Sequence, residues 1–150
     1  MSRKNPPPRI ESVRAQKGHA LALRWSSGEE VAVDLAAEVR RLASLAPLRD
    51  AREFRRVKPG EHGHSVEWPS GVDIGADSLW RDTLIALGHA DAVAFSDWRL
   101  SRGFTLDQAA EALGLSRRMV AYYESGEAAV PKTVVLACRG YDAQQRLAAA

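Results

Sequence analysis

The sequence predicts an α+β protein: a small N-terminal antiparallel β-rich domain followed by an all-α helix-turn-helix bundle. Three observations predict it. Short apolar runs broken by Gly28 and other turn residues fill the stretch from Ile10 to Asp34. From Asp91 onward the apolar spacing becomes purely helical. Thr105 to Glu124, TLDQAAEALGLSRRMVAYYE, reads as two short amphipathic helices joined by Gly114-Leu115-Ser116. The expected division is a disordered or extended tail over 1–8, a β-rich domain over 9–76, a connecting helix and linker over 77–90, the helix-turn-helix domain over 91–142 and a frayed helical tail over 143–150.

Each element has a local reason. Pro6-Pro7-Pro8 fixes φ and removes backbone donors, so the tail has nothing to pair with. Ile10, Val13 and Ala15 mark one strand and Ala20 to Trp25 a second, while Glu30 to Asp34 alternates polar with apolar across Ser27-Gly28, which predicts a hairpin. Leu35, Val39 and Leu42 carry helical spacing over 35–45, stopping before Pro47. Phe54, Val57, Val66 and Trp68 predict two more strands around Lys58-Pro59-Gly60-Glu61, and Trp68-Pro69-Ser70-Gly71 is a turn. Asp77 or Ser78 caps a helix with Leu79, Trp80, Leu84 and Leu87 on one face, ended by Gly88. Asp91 opens the next, with Phe95, Trp98 and Arg102 along it and Gly103 behind it. The four tryptophans are expected as core or interface anchors.

Composition narrows the classes of function. The chain has 150 residues, 45% hydrophobic and 27% charged, with a formal net charge of +2. Its apolar runs are too short to cross a bilayer, and no secretory signal precedes them, so a cytoplasmic location is expected. Cys138 is the sole cysteine, which excludes an internal disulfide and a thiolate metal cage and leaves a small apolar residue in a helix. The positive charge is clustered. Arg3, Lys4, Arg9, Arg14 and Lys17 stand against Glu11 alone, and Arg49, Arg52, Arg55, Arg56 and Lys58 stand against Asp50 and Glu53. The motif itself is near charge balance, which predicts modest nonspecific phosphate binding.

Thr105 with Gln108 three residues on is a capping-box pattern. Leu106, Ala110 and Leu113 make a buried face, and the small Ala109 and Ala110 allow close helix crossing. Gly114 sits where a helix must end with positive φ, and Ser116 caps the next helix. Val120 and Tyr123 point inward, leaving Arg117, Arg118, Ala121 and Tyr122 outward. That outward set suits a DNA major groove, where arginine bonds guanine bidentately. Pro131 starts a further helix whose Val134, Val135 and Leu136 complete the core.

On these residues Phe95 to Arg139 resembles a Cro/lambda-repressor-like domain of the xenobiotic-response-element (XRE) class of bacterial regulators. The resemblance rests on Arg99, Gly103, Thr105, Ala110, Leu113-Gly114-Leu115-Ser116, Val120, Glu124, Gly126 and Pro131. It implies a recognition helix starting at Arg117, with Arg117, Arg118, Ala121 and Tyr122 contacting bases and Thr105, Ser116, Arg99 and Arg102 contacting the DNA backbone. Glu124 resembles the family's structural acid. The family's glutamine after Thr105 is replaced by Leu106. The N-terminal half, with Gly28-Glu29, Val33-Asp34-Leu35 and then Trp68, Pro69, Gly71 and Asp73, resembles a small bacterial domain of unknown function found near toxin–antitoxin genes.

Other constellations read as structure. His62-Gly63-His64 lacks further ligands and reads as loop polarity rather than a metal site, and Asp73 and Asp77 are explained by turn formation and capping. No nucleophile–base pair, phosphate loop or metal spacing points to an enzyme, and no cofactor is expected. The expected function is sequence-specific binding of double-stranded DNA by a homodimeric regulator, a repressor. The alternative is an antitoxin-like protein whose N-terminal domain binds a protein partner, its DNA binding being autoregulatory or vestigial.

Overall fold

A computed structural model describes residues 6–150; the expected tail's first five residues, with Arg3 and Lys4, lie outside the described residues. The described residues form two compact units, Pro6–Leu87 and Gly88–Ala150. An antiparallel β-rich unit followed by a helical one is the predicted α+β class.

In the first unit, β1 (Ile10–Gln16), β2 (Ala20–Trp25) and β3 (Glu30–Asp34) form one antiparallel sheet in sequence order. Val13 lies opposite Leu23 and Ala15 opposite Leu21, while Leu21 and Leu23 lie opposite Val33 and Val31. The alternation therefore puts these apolar residues on one face, where Leu21, Leu23 and Trp25 are fully buried. Helix α1 (Ala36–Arg41) is shorter than expected. A 3-10 segment over Ala43–Arg49 takes in Pro47 and buries Leu45 and Leu48. Phe54 belongs to no strand. Asp50 accepts from the Arg52 amide at 2.9 Å and caps a single turn, α2 (Ala51–Phe54), which delivers the Phe54 ring to the core.

A second small antiparallel sheet joins β4 (Lys58–Pro59), β5 (Ser65–Glu67) and β6 (Asp73–Gly75). Strand β6 has no counterpart in the sequence reading, because three residues leave no periodicity to detect. Helix α3 (Ala76–Ala86) has Gly75 at its N-cap position, in place of the expected Asp77 or Ser78. It is also more than a connection: Leu79 and Thr83 are completely buried in this unit. The Thr83 hydroxyl accepts from the buried Trp25 indole N–H at 3.0 Å and donates to the Leu79 carbonyl at 2.7 Å. Trp80 meets Trp25 edge-to-face with centroids 5.0 Å apart, and the Trp68 indole donates to the Phe54 carbonyl at 2.9 Å.

The second unit is helical throughout: α4 (Ala90–Ser101), α5 (Leu106–Leu113), α6 (Arg117–Ser125) and α7 (Lys132–Ala149). Phe95, Ala109, Ala110, Val120, Tyr123, Val134 and Cys138 form its core. Helix α7 contributes Val134 and Cys138, four residues apart, whereas Val135 and Leu136 remain exposed. A run of three apolar residues cannot lie on one face of a helix that turns 100° per residue. Burial, reinforced by Asp142, pushes the Cys138 thiol above its ordinary range. None of the described helices is long and apolar enough to cross a membrane.

Candidate nucleic-acid interface

The geometry of α5 and α6 follows from their ends. The Gln108 amide donates to the Thr105 hydroxyl at 3.1 Å, and the Thr105 amide donates to the Gln108 side chain at 2.9 Å. This reciprocal box satisfies two otherwise orphaned N–H groups at the start of α5. Gly114, at φ 70°, ends α5 in the left-handed region, and the Leu115 amide returns to the Ala110 carbonyl at 2.9 Å. Ser116 then caps α6 by accepting from the Met119 amide at 3.1 Å. Both capping hydroxyls use acceptor capacity in this work and keep their O–H as a donor.

Helix α6 divides into two faces. Val120, Tyr123 and Glu124 are buried; Arg117 and Arg118 are exposed, and Ala121 and Tyr122 are half-buried beside them. The exposed group is ordered by its own contacts. Arg118 Nε donates to the Tyr122 hydroxyl at 2.7 Å, and its guanidinium carbon lies 5.2 Å from the ring centroid. Arg117 donates to the Asp107 carboxylate at 3.1 Å, with both side chains about half exposed. Asp107 was missed in the sequence, since it is sequentially remote from Arg117; helix-turn-helix geometry brings the first turns of α5 and α6 together.

Two residues expected at the DNA backbone have other partners. Arg99 is completely buried. It donates from Nε and Nη2 to the two Glu124 oxygens at 2.5 and 2.8 Å, and from Nη1 to the Phe104 carbonyl at 2.9 Å. Arg99 is therefore the inner tie between α4 and α6, not a surface group, and Glu124 is the structural acid the sequence suggested. Arg102 is one-quarter exposed and is bound to Asp142 on α7. It also donates to the Trp98 carbonyl at 2.7 Å and stacks 4.5 Å over the Trp98 ring. Thr105 is half-buried and Ser116 exposed. Leu106, where the XRE-class pattern has glutamine, packs against the core.

The remaining polar candidates lie in the first unit. His62 and His64 have ring centroids 6.2 Å apart, and among the described residues there is no group of three or more metal-ligating side chains. Asp73 begins β6, and Asp77 lies in the first turn of α3.

Comparison with known proteins defines the class first. A family model described as a helix-turn-helix domain matches residues 92–150, and one described as a protein of unknown function, DUF2442, matches residues 10–83. No curated protein matches the chain. Among solved structures, that of NE0471, a candidate DNA-binding protein from Nitrosomonas europaea ATCC 19718, is 35% identical, with 95% of this chain and 92% of that one covered and a TM-score of 0.74. The chain belongs to the same family as that protein, and it joins a DUF2442 segment to a C-terminal helix-turn-helix domain.

Proposed function

We propose that the helical unit binds double-stranded DNA sequence-specifically, with α6 in the major groove, and that the chain is a transcriptional repressor. The observation that carries this reading is the two-sided α6: its inner face is fixed by Val120, Tyr123 and Glu124, and its outer face presents Arg117 and Arg118 at the N-terminal turn. A recognition helix uses its N-terminal residues on base edges in this way. Arg118, braced by Tyr122, and Arg117 are the base readers, with Ala121 and Tyr122 against a thymine methyl or sugar. Thr105 and Ser116 donate their hydroxyl protons to phosphates. One short helix reads few bases, so a homodimer spanning two half-sites about 34 Å apart is the working form. The Nitrosomonas europaea relative, a DNA-binding candidate, supports the assignment.

Selection from a random duplex library at ~150 mM salt tests this. The wild type is expected to enrich a motif with two related half-sites, and the Arg117→Ala/Arg118→Ala variant to lose it. Equal weak binding by both proteins, with no enrichment, would sink the recognition-helix assignment and shift interest to a protein partner of the first unit.

A further inference from the structure

One residue from each basic cluster of the sequence, Lys17 and Arg55, lines the same cavity of the first unit. Most of the second cluster is engaged elsewhere: Arg49 donates to the Val39 and Arg40 carbonyls, Arg56 lies by Glu53, and Lys58 lies by Glu67. Arg55 has no such ion-pair partner among the described residues, nor does Lys17 of the first cluster. Both line a cavity of about 390 Å3 between the β1–β2 turn and α2, whose walls include Ala15, His19, Ala51 and Phe54. No acidic residue lines it. The volume falls within the range of small-molecule sites.

His19 carries two unusual features at this cavity. Its φ of 63° is left-handed, one of two such non-glycine residues among those described. Its Nε2 is closed off from solvent and has no hydrogen-bond partner. The ring is held edge-on to Phe54 with centroids 4.9 Å apart, and the His19 carbonyl accepts from the Leu35 amide at 2.9 Å. Left-handed backbone at a non-glycine residue is strained, and such strain clusters at ligand sites; the Nε2 atom, sealed from water, is turned away from the open cavity.

We propose that this cavity binds a small organic carboxylate. The anion sits between Lys17 and Arg55 beside the His19 imidazole, and a compact apolar or aromatic body lies on Ala15, Ala51 and Phe54. The site belongs to the DUF2442 segment and does not depend on the DNA-binding reading.

The test is a titration of the full-length 15N-labelled protein with benzoate, with benzamide as the uncharged analogue and inorganic phosphate as the anion without an apolar body. Benzoate should produce saturable shifts in the amides of 17–19 and 51–55 with a midpoint in the roughly millimolar range, as suits so small a ligand. Benzamide, phosphate and the Lys17→Ala/Arg55→Ala variant titrated with benzoate should each bind about tenfold more weakly or worse. Both substituted residues are exposed, so an unchanged amide spectrum elsewhere checks the variant's fold. Unsaturable or scattered benzoate shifts, equal binding by benzamide or phosphate, or unaltered affinity in the folded variant would each overturn the proposal. The titration contains no DNA, so its failure leaves the DNA reading untouched.

Discussion

Arg99 and Glu124 meet at full burial, and each satisfies the other's charge with paired hydrogen bonds. Removing one partner leaves the other charged and dry, which costs about 3–5 kcal/mol, so Glu124→Gln should lower the urea midpoint sharply, while an apolar replacement of both should recover much of the loss. In the first unit, Thr83→Val keeps the shape but strips the Trp25 indole of its acceptor; thermal unfolding should report a loss of about 1–3 kcal/mol. Asp82 tests the opposite sign. Burial first, then the Glu38 charge, raises its pKa above the ordinary 3.8. The folded state therefore binds this proton more tightly than the unfolded one, and ionised Asp82 opposes folding at neutral pH. Asp82→Asn should raise Tm at pH 7, the gain shrinking as pH falls through the raised pKa and vanishing below the unfolded value. At this scale the sequence was only partly legible. It marked Arg99 as a useful cation but could not show which way α4 turns it, whereas Gly114 and Ser116 declare their roles by chemistry alone.

At the scale of elements, legibility followed locality. The β2–β3 hairpin, the Thr105 box and the two α5–α6 end signals depend on residues within a few positions of one another, and all were readable. The short α2 turn, the 3-10 segment through Pro47 and strand β6 depend on long-range packing of Leu48, Phe54 and Val66, which no local pattern encodes. Helix α7 was placed correctly at its start and at Val134, but Val135 and Leu136 were wrongly turned inward, because Val134-Val135-Leu136 alone cannot fix its rotation. One loop makes a sharp prediction. Gly126 ends α6 at φ 82°, and a Cβ there would stand 3.1 Å from the His89 ring. Gly126→Ala combines a left-handed strain with this crowding, so it should destabilise the helical unit by about 1–3 kcal/mol, measured by loss of the 222 nm signal on heating. Gly114→Ala, with open space at its Cβ position, should lose less.

Across the whole molecule, each unit encloses its own apolar cluster, one around Trp25 and Leu79 and the other around Val120 and Phe95. Calorimetry should therefore resolve separate responses: Thr83→Val should move the unfolding of 6–87 and Glu124→Gln that of 88–150. A single transition moved equally by both would contradict two independent cores. The sequence disclosed this partition through its change of periodicity near Asp91. It could not disclose the cavity beside Phe54, because Lys17 and Arg55 come to line one cavity only after β1, β2 and α2 have formed.

If Arg117 reads bases as proposed, its contact with Asp107 makes DNA capture an exchange. A carboxylate already holds the guanidinium, so a phosphate on random DNA replaces one oxyanion by another and gains little, the exposed pair itself being worth about 0–1 kcal/mol. On the proposed reading, a guanine edge, with two acceptors in the geometry the fork prefers, would displace the carboxylate. Asp107 would then act as a threshold against irrelevant sequence, improving selectivity by weakening what the protein should ignore. Competition binding with Asp107→Asn should tighten retention on random duplex more than on the selected site, compressing the ratio between them; an unchanged ratio would leave Asp107 as mere surface charge.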